Sequence, residues 1–329
     1  MAILLPHLFG IKASSLAKMA TIGSRSLPVL SLVRSSSNRT RLWVRRLAKF
    51  VAGSVVTFSV AAVGHSLNRC PQTGRLRLLM TSPEEDVEIG NRMSHSLLSS
   101  LPREAVLASS HPLTRICQRI ADRISLAADV SGRQLNFEVI VLTDSLRNAY
   151  SLPNGDIVVH AGLVGDVRNE DELAGLLAHE MAHTILRHSS EVVSISDMAR
   201  IPSGFLYSAV ALTGSGFISG ALRWLAVEMT QPERLLVELP TSRRLESEAD
   251  KFGVDLMVRA GYDAHRLVDY WRRQPRRNNH FSSTHPHTEQ RCEDLELYVR
   301  KHDDSPRSDR KPDNSQLQYW IHRISSQLD

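Results

Sequence analysis

The chain has 329 residues, 42% hydrophobic and 23% charged, which are ordinary globular proportions with room for one large domain or two smaller ones. Its net charge of +5 does not describe a nucleic-acid-binding face, because twelve of the 40 basic side chains precede Glu84, the first acid, and the other 28 face 35 acids. Cys70, Cys117 and Cys292 are too few and too scattered for a disulfide framework or a CxxC metal site, and they read as free thiols.

Residues 1–49 are rich in Arg, Ser and Leu and contain no acid. That composition predicts an organellar transit peptide, drawn electrostatically to import receptors and across an inside-negative membrane. A secretory signal is a poorer fit, since Leu4-Leu5 with Leu8-Phe9 is too brief an apolar core. The mitochondrion is the expected destination, with the chloroplast as runner-up because the two compositions overlap. Residues 50–68 lack Asp, Glu, Lys and Arg and follow a basic flank. As a helix they would span about 28 Å, close to a bilayer core, so they form a candidate membrane anchor. Ser, Thr, His, Asn and Gly speckle the run, and the tail of the targeting peptide is the competing reading.

The body is expected over 71–301. Residues 82–130 read as helical, opened by the acids Glu84-Glu85-Asp86 and continued by Leu113, Ile116, Ile120 and Ile124 at helical spacing. Leu135–Leu142 reads as a strand. Ala149–Leu152 and Ile157–His160 read as two short strands around the turn Pro153-Asn154-Gly155-Asp156. Helices are expected from Glu170 to about Val193, from about Arg243 to a stop at Gly261, over Ala264–Arg273, and last over His287–Lys301. Ile201–Leu222 is uncharged and carries four glycines; it reads as a buried or cleft-covering helix pair in preference to a membrane hairpin. Residues 302–329 read as a polar linker and C-terminal segment.

Chemistry concentrates in His179-Glu180-Met181-Ala182-His183. Residues four apart share a helix face, so His179 and His183 can direct both imidazoles at one ion. Glu180, one step round, can reach a water on that ion and act as general base. Leu173, Leu176, Leu177, Ala178, Ala182 and Ile185 make the surrounding helix apolar and dry. A catalytic zinc takes three protein ligands and keeps one position open. Glu246-Ser247-Glu248-Ala249-Asp250 offers the third. Glu246 and Asp250 share a helix face, so one can bind metal while the other holds a ligand histidine. His188 is expected off the ligand face and solvated, and His160 as a bystander in the cleft. By chemistry alone His280, His285 and His287 are equivalent candidates for a further polar role.

HEMAH followed by LESEAD (Leu245–Asp250) resembles the HExxH…ExxxD pair of the Oma-type mitochondrial inner-membrane zinc metalloendopeptidases, whose activity overlaps that of the m-AAA protease, and of their relatives the CAAX prenyl-protein endopeptidases. The resemblance covers roughly 71–300. Asn148–Gly155 is similar to the family's edge-strand segment, Ala260-Gly261-Tyr262-Asp263 to its AGYDP segment with Ala264 in place of Pro, Ser283-Thr284-His285-Pro286 with Arg291 to its STHP…R segment, and Pro71–Arg75 to the PxTGR element of the Oma subgroup. It implies an α+β fold: a mostly helical, zincin-like metallopeptidase with a small β-sheet whose edge strand borders the zinc cleft. It implies one Zn2+ per chain held by His179, His183 and Glu246, with Glu180 and His285 catalytic and Asp250 and Arg291 in support. Glu248, two residues from Glu246, is a decoy on another face. Substrate would pair with an edge strand drawn from Asn148, Gly155, Ile157, Val158 and Val159. The implied partners are inner-membrane protein substrates in quality control or stress response, a membrane, and a homo-oligomer, with no nucleic acid. The rival functions are a non-catalytic scaffold or holdase that keeps the metal, and a purely structural zinc protein; the latter fits poorly without cysteine ligands.

Overall fold

The computed structural model describes residues 63–128, 135–198, 240–274, 289–301 and 315–328, with isolated positions between 42 and 61. Two units are distinguished, Met1–Met80 with Glu191–Leu239, and Thr81–Ser190 with Pro240–Asp329. The expected transit peptide, most of the expected anchor, the apolar stretch 201–222 and the stretch 275–288 containing His280, His285 and His287 lie outside the described residues.

In the first unit, β1 (Leu67–Arg69) and β2 (Leu76–Leu78) form an antiparallel hairpin. Its turn is Pro71–Arg75, closed by the Gly74 N–H on the Cys70 carbonyl at 2.8 Å. Arg75 makes two hydrogen bonds to the Glu191 carboxylate, at 2.7 and 2.5 Å. Leu67 and Asn68, the last two residues of the expected anchor, are therefore strand residues. Among the described residues no helix is long and apolar enough to cross a membrane.

The second unit holds eight helices among its described residues. The expected helical region 82–130 is two helices, α1 (Pro83–Ser100) and α2 (Pro112–Ala127), parted at Leu101-Pro102 and at His111-Pro112. Proline disfavours helical backbone in the residue before it, which explains both boundaries. Ser82 and Glu85 cap α1 reciprocally, each side chain accepting the other's backbone N–H. β3 (Val139–Leu142), β4 (Ala149–Ser151) and β5 (Ile157–His160) follow. Then come α3 (Ala161–Asp166), α4 (Glu170–Ile185), α5 (Pro240–Arg259), α6 (Ala264–Arg273), α7 (Glu289–Lys301) and α8 (Ser315–Leu328).

The sheet order is β3-β5-β4, with β5 parallel to β3 and antiparallel to β4. This corrects the expectation for Ile157, Val158 and Val159. They lie in the central strand, fully buried and paired on both sides, and cannot receive a further strand. The outer side of β3 is covered by 105–107, where the Leu107 N–H bonds the Val141 carbonyl and the Thr143 N–H bonds the Ala105 carbonyl. β4 is left as the sheet's open edge among the described residues.

α4 is buried on nearly every side, with Leu173, Leu176, Leu177 and Ala178 wholly inaccessible. It packs against α2, α5, α6 and the sheet, the position expected of a helix that is apolar all round. α4 ends earlier than expected, at Ile185, and helix resumes over 188–198. Arg187 between them adopts φ 56°, an uncommon conformation for a side-chain-bearing residue. It is held there by a bond from Nε to Asp86 (2.5 Å) and one from the guanidinium to the Thr81 carbonyl (2.6 Å). α8 lies in the C-terminal segment expected beyond the polar linker; it packs on α3 and buries Leu317 and Ile324.

α4 and α5 approach closely at Gly253. A Cβ there would sit 3.2 Å from the His179 backbone nitrogen and 3.3 Å from its Cα. Both obstacles are helix backbone and cannot rotate away. Gly253→Ala is expected to destabilise the metal-free protein by about 1–3 kcal/mol, the usual range for overpacking. Urea unfolding midpoints at unchanged slope would measure it.

Candidate metal centre

α4 and α5 bring His179, His183 and Glu246 together, with ligand atoms all within 4.8 Å of one another. The Nε2 atoms of His179 and His183 are 3.1 Å apart. Glu246 presents Oε2 to His179 at 3.4 Å and Oε1 to His183 at 3.5 Å. Three donors at tetrahedral angles and about 2.0–2.1 Å from a zinc ion would be separated by about 3.3 Å. The separations of 3.1, 3.4 and 3.5 Å, the last two made to different oxygens of the Glu246 carboxylate, are close to that value, and the mixed N/O donors suit zinc. His179 and Glu246 are buried, while the His183 side chain is 13% exposed, so the site opens on the His183 side.

The surrounding groups orient these three. His179 Nδ1 is 3.1 Å from Asp250 Oδ1. Asp250 in turn receives two bonds from Arg291, Nε to Oδ2 at 2.8 Å and a second guanidinium nitrogen to Oδ1 at 2.9 Å. A third guanidinium nitrogen of Arg291 is 3.1 Å from Glu246 Oε2. The arginine also stacks over the Trp271 ring at 5.1 Å. Glu180 is buried next to His179, and its backbone carbonyl accepts the Ser151 hydroxyl at 2.7 Å. The Thr184 hydroxyl bonds the Leu152 carbonyl at 3.1 Å. The open edge strand is thus fastened to the turn of α4 that carries Glu180 and His183.

Asn148 and Gly155 flank that strand. The Asn148 carbonyl accepts the His160 N–H at 3.0 Å. Gly155 turns the chain at φ 108°, where a Cβ would meet the Asn136 carbonyl oxygen at 2.5 Å. Asn148 and Leu152 direct backbone groups at β5, and antiparallel alternation therefore turns those of Ala149 and Ser151 outward. His160, expected as a bystander, is buried with Nδ1 2.7 Å from Asp144.

One residue departs from its expected place, and another, on its expected face, has a partner there. His188 is not solvated; it is 3% exposed, and its Nδ1 lies 2.9 Å from His183 Nδ1. Glu248 does face away from Glu246, yet its Oε2 lies 3.2 Å from His188 Nε2. On a continuous helix the fifth residue after His183 sits about 140° round the axis. The left-handed Arg187 breaks that helix and returns His188 to the site.

Burial alone would pull the His179 imidazole below its ordinary value, but hydrogen bonds and charge from Asp250 and Glu246 push it up to about 10. Burial would likewise raise Asp250, and the charges of Arg291 and His179 instead hold it below the usual carboxylate range. In the metal-free protein a proton on His179 thus supplies positive charge to a buried acidic site. The stability contributed by a raised pKa is complete below the unfolded value of 6.5 and fades as pH climbs toward about 10. That of Asp250 is present above 3.8 and is lost on acidification. The urea midpoint of the metal-free protein is expected to fall steadily between pH 6.5 and 10, and the fall should disappear in His179→Gln.

A profile of peptidase family M48 matches residues 111–299, more than half of the chain, a range that includes His179, Glu180, His183, His188, Glu246, Glu248, Asp250 and Arg291. The mitochondrial metalloendopeptidase OMA1 of Schizosaccharomyces pombe is 32% identical over 202 residues, 60% of this chain and 56% of that protein. The Saccharomyces cerevisiae protein of that name is 28% identical over 254 residues, 71% of this chain and 70% of its own length. For the human metalloendopeptidase OMA1, mitochondrial, the figures are 26% over 242 residues, 70% and 45%. Against the fission-yeast and human proteins the match spans about half of the relative's length. With the fold and the convergent residues in view, the chain belongs to peptidase family M48.

Proposed function

We propose that the chain is a zinc-dependent endopeptidase acting on extended segments of mitochondrial inner-membrane proteins, in quality control or stress response. The carrying observation is the convergence of His179, His183 and Glu246 from two helices into one triangle of donors. These three residues would hold one zinc. Bound there, zinc supplies Lewis-acid polarisation of a carbonyl and acidification of water. Glu180, on the same helix turn, takes the proton from the attacking water and returns it to the leaving amine. Asp250 fixes the ring of His179, and Arg291 fixes Asp250 and Glu246. His285 is assigned, by the family resemblance, to the developing oxyanion.

An extended substrate adds to the open side of β4, pairing with the outward backbone groups of Ala149 and Ser151. Backbone pairing reads extended shape more than side chains, so sequence preference is broad. The names of the relatives and the basic, acid-free N-terminal segment support the mitochondrial assignment. Membrane association is assigned on the uncharged run 50–68.

Glu180→Gln in the full chain is expected to retain one zinc while kcat on a casein substrate falls about 10²–10⁴-fold, the usual worth of a positioned base. Near-normal turnover in a zinc-loaded variant would remove Glu180 from that role, and chelator-insensitive cleavage would remove the metal. Pairing with β4 is tested separately. Peptides N-methylated at alternate residues beside the scissile bond should lose cleavage in one phase of the alternation and keep it in the other. Equal tolerance in both phases would exclude strand addition.

A further inference from the structure

His183 differs from His179 in what stands behind it. His179 meets a carboxylate directly, whereas His183 meets a second imidazole, His188, which meets Glu248. We infer that His188 is a positioning residue for the metal, relaying Glu248 to His183 and fixing the face that His183 presents. This rests on the zinc reading above.

Only one proton fits between His183 Nδ1 and His188 Nδ1 at 2.9 Å. For His183 to offer the Nε2 lone pair toward His179 and Glu246, its Nδ1 must carry the hydrogen and donate it. His188 Nδ1 then accepts, which leaves the His188 hydrogen on Nε2. That nitrogen lies 3.2 Å from Glu248 Oε2, an acceptor-only group. One set of tautomers satisfies every link, and the reverse set turns a hydrogen of His183 into the donor triangle. A carboxylate or carbonyl behind a ligand histidine is the usual way of fixing its ring and raising its basicity. Here the carboxylate acts through an intervening ring. The planes of His183 and His188 are 77° apart with centroids at 4.9 Å, so the rings do not stack, and the 2.9 Å Nδ1 to Nδ1 distance is that of an N–H···N bond.

The placement depends on three local features. Arg187 at φ 56° turns His188 back toward α4, and Asp86 and Thr81 hold Arg187 in that conformation. α5 supplies Glu248 two residues, about half a turn, from both Glu246 and Asp250. His188 and Glu248 are both largely buried, with side chains 3% and 10% exposed. Bulk water therefore competes little with either bond.

The test is the zinc affinity of the full-length chain, measured by competition with a chromophoric chelator, together with the visible spectrum of the cobalt-substituted protein. His188→Phe removes the acceptor and is expected to weaken zinc binding about 10–100-fold, the range for such orienting partners, and to alter the cobalt bands. His188→Asn places an amide oxygen near the former Nδ1 and should recover most of that affinity. Glu248→Leu should fall between Asn and Phe. The urea midpoints of the metal-free variants give the packing cost, which a merely structural His188 would show without the Asn rescue. Zinc affinity within twofold of wild type in both His188→Phe and Glu248→Leu overturns the relay, as does an Asn variant no better than Phe. If Phe does not fold, unchanged affinity in Glu248→Leu overturns it alone. A wild-type chain that takes no zinc defeats the relay and the enzymatic reading together; one that takes zinc and cleaves nothing defeats only the latter.

Discussion

Burying acids is costly, and this protein buries several around one point. Glu180, Glu246 and Asp250 are each at most 6% exposed, and Arg291 is the fixed cation among them. Charges removed from water demand partners, or the groups give up their charge. Arg291 balances one carboxylate. A proton on His179 balances part of what remains, which is why that imidazole holds on to it so far above the ordinary range. A divalent ion would compensate the cluster more completely and would free His179 to act as a neutral ligand. α4 is buried along nearly its whole length, so the placing of these groups and the packing of α4 against α5 are one constraint. Gly253 sets their spacing at the level of His179 itself.

A second constraint comes from the sheet. With three short strands, a peptide can add only at an uncovered side. Residues 105–107 occupy the β3 side and β5 is interior. Among the described residues β4 remains, and it is tied to α4 by the Ser151 and Thr184 hydroxyls. Those two bonds hold the strand and the Glu180–His183 turn in one frame. On the proposed function, a substrate registered on β4 would thereby be registered against Glu180 and the three converging side chains, which is the positioning that a hydrolase needs before any chemistry begins.

Much of this could be read from the residues. The pair at i and i+4 in His179 and His183 is a local property of one helix, and so is the shared face of Glu246 and Asp250. The end of α5 just before Gly261 and the span of α6, Ala264–Arg273, are legible as well. What escaped depends on non-local contacts. The break at Arg187 is fixed by Asp86, 101 residues away in sequence, and without it His188 belongs on another face. Which of two short strands is the edge is decided by β3, which no spacing within 149–160 reveals. α8 follows a run of charge and proline, and its apolar face becomes evident only against α3.

The three acids of Glu246-Ser247-Glu248-Ala249-Asp250 show how little sequence a buried centre needs once two helices lie close. At i and i+4, Glu246 and Asp250 face the same neighbour and divide it, one reaching the Nε2 side of His179 and the other its Nδ1 side. Glu248, about 200° away from Glu246 on the helix, would face elsewhere if α4 simply continued. Because the chain reverses its hand at Arg187, the elsewhere is occupied by His188, and the acid that spacing assigns to solvent is brought back into the same network. His179 and His183 are thus each linked to a carboxylate of α5, directly for one and through a ring for the other. On the proposed reading, a substitution at any of the three acids would be felt at the metal, although only Glu246 would bind it.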